Sequence, residues 1–185
     1  MREGQNNVEK IKLNTAAVLR LLTPLDAPDI FNAIDTQRRY LAQWLPFVSG
    51  TRTIEDTLRY VRTSMLDFER GDYVFVIACE EQFAGLIGFK DTDRENRRTE
   101  LGYWLREEYQ GRGLMTESVK ALCRWAFRKQ RIFRVQIKCA TENIRSRAIP
   151  ERLGFVHEGT ERGGIRLANG RHTNLEVYSR LRTDK

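Results

Sequence analysis

The segment from residue 99 to residue 129 restricts the fold more than any other part of the chain. A strand-like stretch over residues 99–105 leads into Gln110-Gly-Arg-Gly113, and apolar residues recur at helical spacing from Leu114 onward. Glycine adopts left-handed backbone freely, and the first N–H groups of a helix have no partner within it. Several free N–H groups would therefore converge at the positive end of a helix dipole, an arrangement that binds a pyrophosphate.

The neighbouring segments predict the sheet that surrounds this turn. Residues 73–79, 83–90 and 99–105 are strand-like and follow one another without a helix between them, which indicates antiparallel pairing. The strand at 99–105, the helix at 114–129 and a strand at 134–140 form a unit that requires one parallel step. The sequence therefore predicts an α+β fold with a mixed, mostly antiparallel central sheet flanked by helices.

Local signals place the remaining elements. Residues 18–22 read as a strand, and Asp26 and Thr53 are expected to cap two helices, the second with Asp56 at its third position. A helix is predicted at 144–153, and strands at 156–165 and 173–180 flank the hairpin signal Asn169-Gly170. Pro150 falls inside the predicted helix, so we expect a kink or a late helix start there.

Length and charge set the broad class. At 185 residues the chain is expected to form one domain, residues 1–185, with a core over about 15–182. Its net charge of +7 favours acidic or phosphate-bearing partners. Because no apolar run has the length of a membrane span and residues 1–12 lack the apolar core of a signal peptide, we expect a cytoplasmic protein that does not bind membranes.

The cysteines and histidines give no sign of a metal site. Cys79, Cys123 and Cys139 lie far apart within apolar patterns, so all three are expected to be reduced core residues. His157 and His172 lack the spacing of metal ligands. No metal is therefore expected.

Two common nucleotide-binding loops are excluded. The Walker pattern Gly-x4-Gly-Lys-Ser/Thr does not occur in the chain. A dinucleotide-binding Gly-x-Gly-x-x-Gly would need glycine at position 116, where the chain has Thr116, and would also need an early βαβ unit. The pyrophosphate must belong to another kind of ligand.

Gln110-Gly-Arg-Gly113 fits the signature Arg/Gln-x-x-Gly-x-Gly/Ala of the GCN5-related N-acetyltransferases (GNAT), although Met115 replaces the usual small residue. Asn143-x-x-Ser146, followed by Arg152-Leu-Gly-Phe155, is similar to the second conserved block of that family. Gln43-Trp-Leu-Pro-Phe47 and Glu100-Leu-Gly-Tyr-Trp-Leu105 are similar to the branch that acetylates the N-termini of ribosomal proteins (RimJ/RimL type). The resemblance covers roughly residues 15–182.

The resemblance implies a V-shaped splay between the strands at 99–105 and 134–140, with acetyl-coenzyme A in the cleft. The N–H groups of residues 111–116 would hold the pyrophosphate, and the pantetheine arm would pair with the strand edge like an extra strand. The cofactor site implied in this way consists of Tyr103, Trp104, Leu105, Arg106, Gln110, Gly111, Arg112, Gly113, Leu114, Met115, Thr116, Asn143 and Ser146.

Only some of the catalytic residues of the family have a match in this chain. The place of the glutamate base proposed for the branch holds Ile165 or Arg166, so Glu100 is the best remaining candidate, with Glu142 and Glu161 behind it. Glu100 reads equally well as an exposed carboxylate at a strand end. Many relatives carry a tyrosine seven residues after the motif asparagine, where this chain has Pro150. Ser146 matches the serine of the branch and could hydrogen-bond the sulfur, or it could be a plain helix cap.

The acceptor is less well defined. Trp44, Leu45 and Phe47 are expected to wall the acceptor groove, although they read equally well as core. The expected function is direct transfer of acetyl from acetyl-CoA to the N-terminal α-amine of a protein, with a ribosomal protein as one candidate. Such a chain needs no nucleic-acid contact and could form a homodimer or higher homo-oligomer.

Three alternatives stay open at this point. The same chemistry could act on a small amine such as a polyamine, an aminoglycoside or an amino acid. A non-catalytic acyl-CoA-binding module would keep the fold without turnover. An RNA-binding domain has only the high pI of about 9.6 in its favour.

Overall fold

The computed structural model describes residues 10–184. In this part of the chain the strands are β1 (Ile11–Lys12), β2 (Ala17–Leu21), β3 (Val74–Cys79), β4 (Gln82–Asp93), β5 (Arg98–Leu105), β6 (Arg134–Ala140), β7 (Val156–Arg166) and β8 (His172–Leu181). The α-helices are α1 (Ala27–Thr36), α2 (Arg38–Leu41), α3 (Ile54–Leu66), α4 (Leu114–Lys129) and α5 (Ile144–Arg152).

The strands form one sheet in the order β1-β2-β3-β4-β5-β6-β8-β7. Every neighbouring pair is antiparallel except β5 and β6, which are parallel and are connected through α4. The predicted fold class is therefore confirmed, and the parallel step lies where the strand–helix–strand unit placed it.

Helices cover both faces of the sheet and give the molecule three layers. On one face, Ile34 of α1 and Val61 of α3 are buried against Val76 of β3. On the other face, Val119 and Leu122 of α4 are buried with apolar side chains of β3 to β6. Successive strand residues point to opposite faces, so one strand can supply both cores. Each fully buried aliphatic side chain contributes about 1.5–3 kcal/mol relative to an exposed one.

Thr53 caps α3 as its sequence predicts. Its hydroxyl accepts from the Asp56 N–H at 3.2 Å, and the Asp56 carboxylate accepts from the Thr53 N–H at 3.0 Å. This reciprocal pair satisfies two N–H groups that the helix itself leaves free.

Asp26 behaves differently from its predicted role as the cap of α1. Its carboxylate makes no capping bond to that helix. It instead accepts from both terminal nitrogens of Arg20, at 2.9 and 2.5 Å, and from the N–H of Thr23 at 2.8 Å. A buried carboxylate gains more from a two-point contact with a guanidinium than from one backbone N–H. These hydrogen bonds outweigh the cost of burial and lower the pKa of Asp26.

Three further observations concern expectations from the sequence. The α5 helix begins at Ile144 and runs through Pro150, so a late start is not observed. The three cysteines are free and buried, as predicted. Among the helices of residues 10–184, none combines the length and apolar character that a membrane crossing requires.

Candidate active site

The sheet opens between β5 and β6. These two strands pair only over their first three residues, from Arg98 opposite Arg134 to Glu100 opposite Gln136. Beyond that point β5 stays paired with β4 and β6 stays paired with β8, but the two strands no longer pair with each other. The result is a V-shaped gap that opens toward the C-terminal ends of both strands, as the family resemblance led us to expect.

The β5 side of the gap offers unpaired backbone groups. The N–H of Arg106 donates to the carbonyl of Ala84, on the side of β4. Because peptide groups alternate along a strand, those of Tyr103 and Leu105 point away from β4 and into the gap. An extended ligand that carries amides could pair there as a short additional strand.

A group of free N–H donors lies at the end of the gap. Gly111 and Gly113 have φ values of +72° and +74°, in the left-handed region that glycine tolerates. Within residues 10–184, no hydrogen bond to protein uses a backbone N–H of residues 111–116 as donor. A Cβ atom at either glycine would meet no other atom within 4 Å. The N-terminus of α4 therefore presents an open site for an anion, and the positive end of the helix dipole reinforces it.

Side chains around these donors have defined contacts of their own. The Arg112 guanidinium lies 5.3 Å from the centre of the Tyr109 ring, and its residue is exposed. The Thr116 hydroxyl accepts from Arg152 at 2.8 Å. Leu114 and Met115 are buried in the core, so they can offer only backbone groups to a ligand.

Gln110 links two helices across the mouth of the gap. Its amide nitrogen contacts the Tyr40 hydroxyl of α2, and its amide oxygen accepts from Arg145 of α5 at 2.7 Å. Next to it, the Gln37 side chain accepts from the Glu107 N–H at 2.9 Å and donates to the Glu108 carboxylate at 2.6 Å. These contacts fasten α2 and its neighbour α1 to the loop before α4.

Glu100 lies where the two strands begin to separate. Its carboxylate is paired with Lys90 Nζ at 2.8 Å and accepts from Gln136 Nε2 at 3.1 Å. Lys138 Nζ lies 4.0 Å from Glu100 and 2.7 Å from Glu161. The Glu161 hydrogen bond raises the pKa of Lys138, so that ammonium stays charged. The Glu100 side chain is only 12% exposed, so it is not a freely solvated strand end.

The weaker base candidates are engaged elsewhere. Glu142 accepts from the Thr173 hydroxyl at 2.6 Å and from Arg171 at 3.3 Å. Glu161 is held by Lys138. Among the three carboxylates considered from the sequence, Glu100 is the one that lies at the start of the gap.

A second cluster surrounds Ser146 at the start of α5. Its hydroxyl lies 3.2 Å from Cys139 Sγ of β6 and 3.4 Å from the Tyr103 hydroxyl of β5. Asn143 is the helix cap, because its side-chain oxygen accepts from the Ser146 N–H at 3.2 Å. Ser146 is therefore not the cap of α5, as one interpretation of the sequence had it. Its hydroxyl is not used in capping and makes other contacts.

The two clusters lie on opposite faces of the opened strands. Tyr103 and Cys139 belong to the face covered by α4 and α5. Trp104 packs with the core beneath α1 and α3, so alternation along β5 places Glu100 on that same second face. A reaction in the gap would therefore have a carboxylate on one side and hydroxyl and thiol groups on the other.

The expected acceptor wall is partly core. Leu45 packs against the core beneath α1 and α3, and Trp44 is half-buried. Phe47 is 46% exposed and can meet an incoming molecule. Leu45 is thus a core residue, whereas the acceptor role of the segment stays a prediction.

Several residues of the site carried no signal in the sequence. Tyr40, Gln37 and Arg145 reach the mouth only because α2 and α5 flank it. Cys139 was read as a core residue, which its burial confirms, yet it also touches Ser146. Its position on a strand that borders the gap, seven residues before Ser146, was the available clue.

The chain is similar to known acetyltransferases over most of its length. Residues 17–156 match the family model described as an acetyltransferase (GNAT) domain. The chain is 33% identical over 179 residues to YdaF of Bacillus subtilis (strain 168), provisionally named a ribosomal N-acetyltransferase, covering 94% of this chain and 95% of YdaF. It is 27% identical over 174 residues to the ribosomal-protein-serine acetyltransferase of Escherichia coli (strain K12), covering 94% and 97%. A solved structure of RimL, the ribosomal L7/L12 α-N-protein acetyltransferase in complex with coenzyme A, superposes with a TM-score of 0.89 at 29% identity, covering 94% of this chain and 98% of that one.

Proposed function

The chain belongs to the GNAT family of acetyltransferases, and from that premise we propose that it acetylates the N-terminal α-amine of a protein, with a ribosomal protein as the first candidate. It is an acetyl-CoA-dependent enzyme. Relatives that match nearly its whole length bear the names of ribosomal-protein acetyltransferases, and that breadth supports a protein acceptor.

One observation carries the proposal most directly. The sheet has a gap between two parallel strands, and a set of free N–H donors lies at the end of that gap. Acetyl-CoA supplies the acetyl group as a thioester. The free donors at 111–116 fit its pyrophosphate, and the unpaired edge at Tyr103 and Leu105 fits the amides of its pantetheine arm. Arg112 is exposed beside the donors and can add charge to a phosphate.

We assign the two sides of the gap to the two proton transfers of the reaction. Glu100 would take a proton from the acceptor ammonium on one side. Ser146 would donate a hydrogen bond to the departing sulfur on the other. The placement of the two clusters on opposite faces supports this division, because the amine and the leaving group lie on different sides of the carbonyl under attack.

The strength of base that is needed favours an α-amine. A free α-amino group has a pKa of about 8, so roughly a tenth of it is already neutral at pH 7. A lysine or polyamine nitrogen near 10.4 is neutral in well under a thousandth of molecules, a gap of about 3 kcal/mol. Glu100, which is paired with Lys90, offers a carboxylate, and a carboxylate is a weak general base that is sufficient for an α-amine.

The test compares acceptors on one enzyme preparation. Coenzyme A release is measured with short peptides that have free N-termini, with the same peptides blocked at the N-terminus but carrying a free lysine, and with spermidine. We expect turnover with the free N-termini and a mass increase of one acetyl group on the terminal residue. Turnover only with spermidine would overturn the protein acceptor. Binding of acetyl-CoA without turnover on any acceptor would show a non-catalytic module instead.

A further inference from the structure

Pro150 removes one hydrogen bond from α5. In a regular helix the N–H of residue 150 would donate to the carbonyl four residues earlier, which is that of Ser146. Proline has no N–H and cannot make this bond. The Ser146 carbonyl, at a half-buried position beside the gap, therefore loses its helical donor.

Tyr103 supplies a replacement from another strand. Its hydroxyl donates to the Ser146 carbonyl at 3.1 Å. The donor belongs to β5 and the acceptor to α5, so the bond ties the two sides of the gap together. Burial raises the pKa of the Tyr103 phenol well above its ordinary range, so this donor keeps its proton at physiological pH.

This bond also determines the direction of the neighbouring contacts. A tyrosine hydroxyl has one hydrogen, and here that hydrogen goes to the carbonyl. This leaves the Tyr103 oxygen as an acceptor for the Ser146 hydroxyl, 3.4 Å away. That contact is long, so the serine can turn its one hydrogen to the departing sulfur instead. Both the main chain and the side chain of Ser146 are thus held by one residue across the gap, with Cys139 Sγ at 3.2 Å on its other side.

We propose that Tyr103 is a positioning residue for Ser146: its hydroxyl replaces the helix bond that Pro150 eliminates and holds the serine beside the departing sulfur. This inference rests on the proposed function, in which Ser146 acts at the sulfur. It also gives Pro150 a role. Because proline lacks the N–H that would otherwise bond the Ser146 carbonyl, that carbonyl depends on the hydroxyl of Tyr103.

The test is a double-mutant cycle of Tyr103→Phe and Pro150→Ala. Tyr103→Phe removes the hydroxyl and leaves the Ser146 carbonyl without a donor, so kcat is expected to fall about ten- to a hundredfold. The KM for acetyl-CoA should stay within about twofold, since the N–H donors at 111–116 are untouched. The Pro150→Ala change restores the helical N–H, so in that background Tyr103→Phe should lower kcat by less than about threefold.

Tyr73→Phe is the matched control. Tyr73 is also a buried tyrosine, immediately before β3, but its hydroxyl makes no hydrogen bond with any residue of 10–184. It packs against Trp125, on the part of the sheet where β3 and β4 are paired. Its kcat should equal that of the unchanged protein.

Thermal unfolding of the unchanged protein, the two single variants and the double variant is the second readout. Tyr103→Phe should lower the melting temperature more when Pro150 is present than in the Pro150→Ala background. An equal loss of kcat in both backgrounds, or an equal loss of melting temperature in both, would overturn the link between Tyr103 and Pro150. If the thermal coupling is found but no acceptor is acetylated, the proposed function fails while the contact stands, so the two failures can be told apart.

Discussion

Glu100 is the residue on which the proposed chemistry depends most. We predict that Glu100→Gln lowers kcat/KM by more than about tenfold at pH 7, because the amide keeps the shape and the contact with Gln136 but cannot take a proton. The deficit should shrink above about pH 8, where the α-amine of the acceptor loses its proton without help. The pH–rate profile of both proteins on one peptide measures this.

Lys90 provides the control for that prediction. Lys90→Met removes the ion pair at 2.8 Å but leaves the carboxylate in place. The kcat/KM of this variant should stay within about threefold of that of the unchanged protein, since Lys90 transfers no proton in the proposed reaction. A pH–rate profile that Glu100→Gln leaves unaltered would show that water or another group is the base.

Glu158 allows a prediction about pH and stability. Arg134 holds its carboxylate at 2.6 and 2.5 Å and Ser179 donates at 2.8 Å, and the Arg134 hydrogen bonds lower the pKa of Glu158 from 4.5 to about 2. A pKa that is lower in the folded protein stabilises the fold above pH 4.5, and this stabilisation is lost as the pH falls toward 2. Because the pair is partly exposed, it is expected to contribute less than about 1 kcal/mol.

Thermal unfolding of Glu158→Gln between pH 7 and pH 2 checks this. The variant should melt lower at pH 7, by less than about 2–4 °C, and match the unchanged protein near pH 2. Glu95→Gln is the control, because Glu95 is exposed and makes no ion pair within residues 10–184. A deficit that persisted unchanged at pH 2 would mean that the lost contact is not the ionised pair.

The sequence did not predict what the residues that it singled out would touch. Gln110 was singled out from its motif, yet its bonds to Tyr40 and Arg145 join positions 70 and 35 residues away in the chain. Asp26 was given a cap because capping rules consider only the helix that follows, whereas Arg20, six residues earlier on β2, pairs with it in the folded chain. Partners across the fold depend on how elements pack, and one sequence does not encode them as a pattern.

Whole elements were predicted more accurately than contacts. The bounds of α4 and β6 agree with the predicted 114–129 and 134–140, because both show clear periodicity and sharp ends. The two-residue β1 and the four-residue α2 were missed, since neither is long enough to show a period. The gap between β5 and β6 came from the family resemblance, because nothing in either strand alone indicates where pairing stops.

At the scale of an element, the N-terminus of α4 is the proposed binding site for the pyrophosphate of acetyl-CoA, and a single substitution tests it. We predict that Gly113→Glu lowers the affinity for acetyl-CoA by more than about a hundredfold, since a carboxylate would occupy the space among the free N–H groups and repel phosphate. Calorimetric titration with coenzyme A measures the change.

Gly154 is a matched control for Gly113. It also has a left-handed backbone, φ +71°, and open space at its Cβ, but it ends α5 rather than starting α4. Gly154→Glu therefore imposes similar backbone strain, about 1–2 kcal/mol, without placing charge at the donors. Equal losses of affinity in both variants would remove residues 111–116 from the phosphate site.

At the scale of the whole molecule, the sheet consists of two parts that share little direct pairing. Strands β1 to β5 form one part and β6, β8 and β7 the other, joined by three residue pairs between β5 and β6. The α4 helix packs beneath both parts and adds to their connection. A ligand in the gap would touch the edge of β5 and the starts of α4 and α5 together, so it would couple the two parts.

Binding should therefore stabilise the entire fold while protecting only the gap directly. At a coenzyme A concentration about a hundredfold above its Kd, mass action adds about 2.7 kcal/mol, which corresponds to a rise of roughly 5–10 °C in melting temperature.

Hydrogen exchange should slow most at residues 111–116 and at the amides of Tyr103 and Leu105, whose N–H groups lack protein partners within residues 10–184. The amides of β1 and β2, at the far edge of the sheet, should change only through the global rise in stability. Gly113→Glu should abolish both effects. Strong local protection on β7 with none at 111–116 would place the ligand outside the gap and contradict the site.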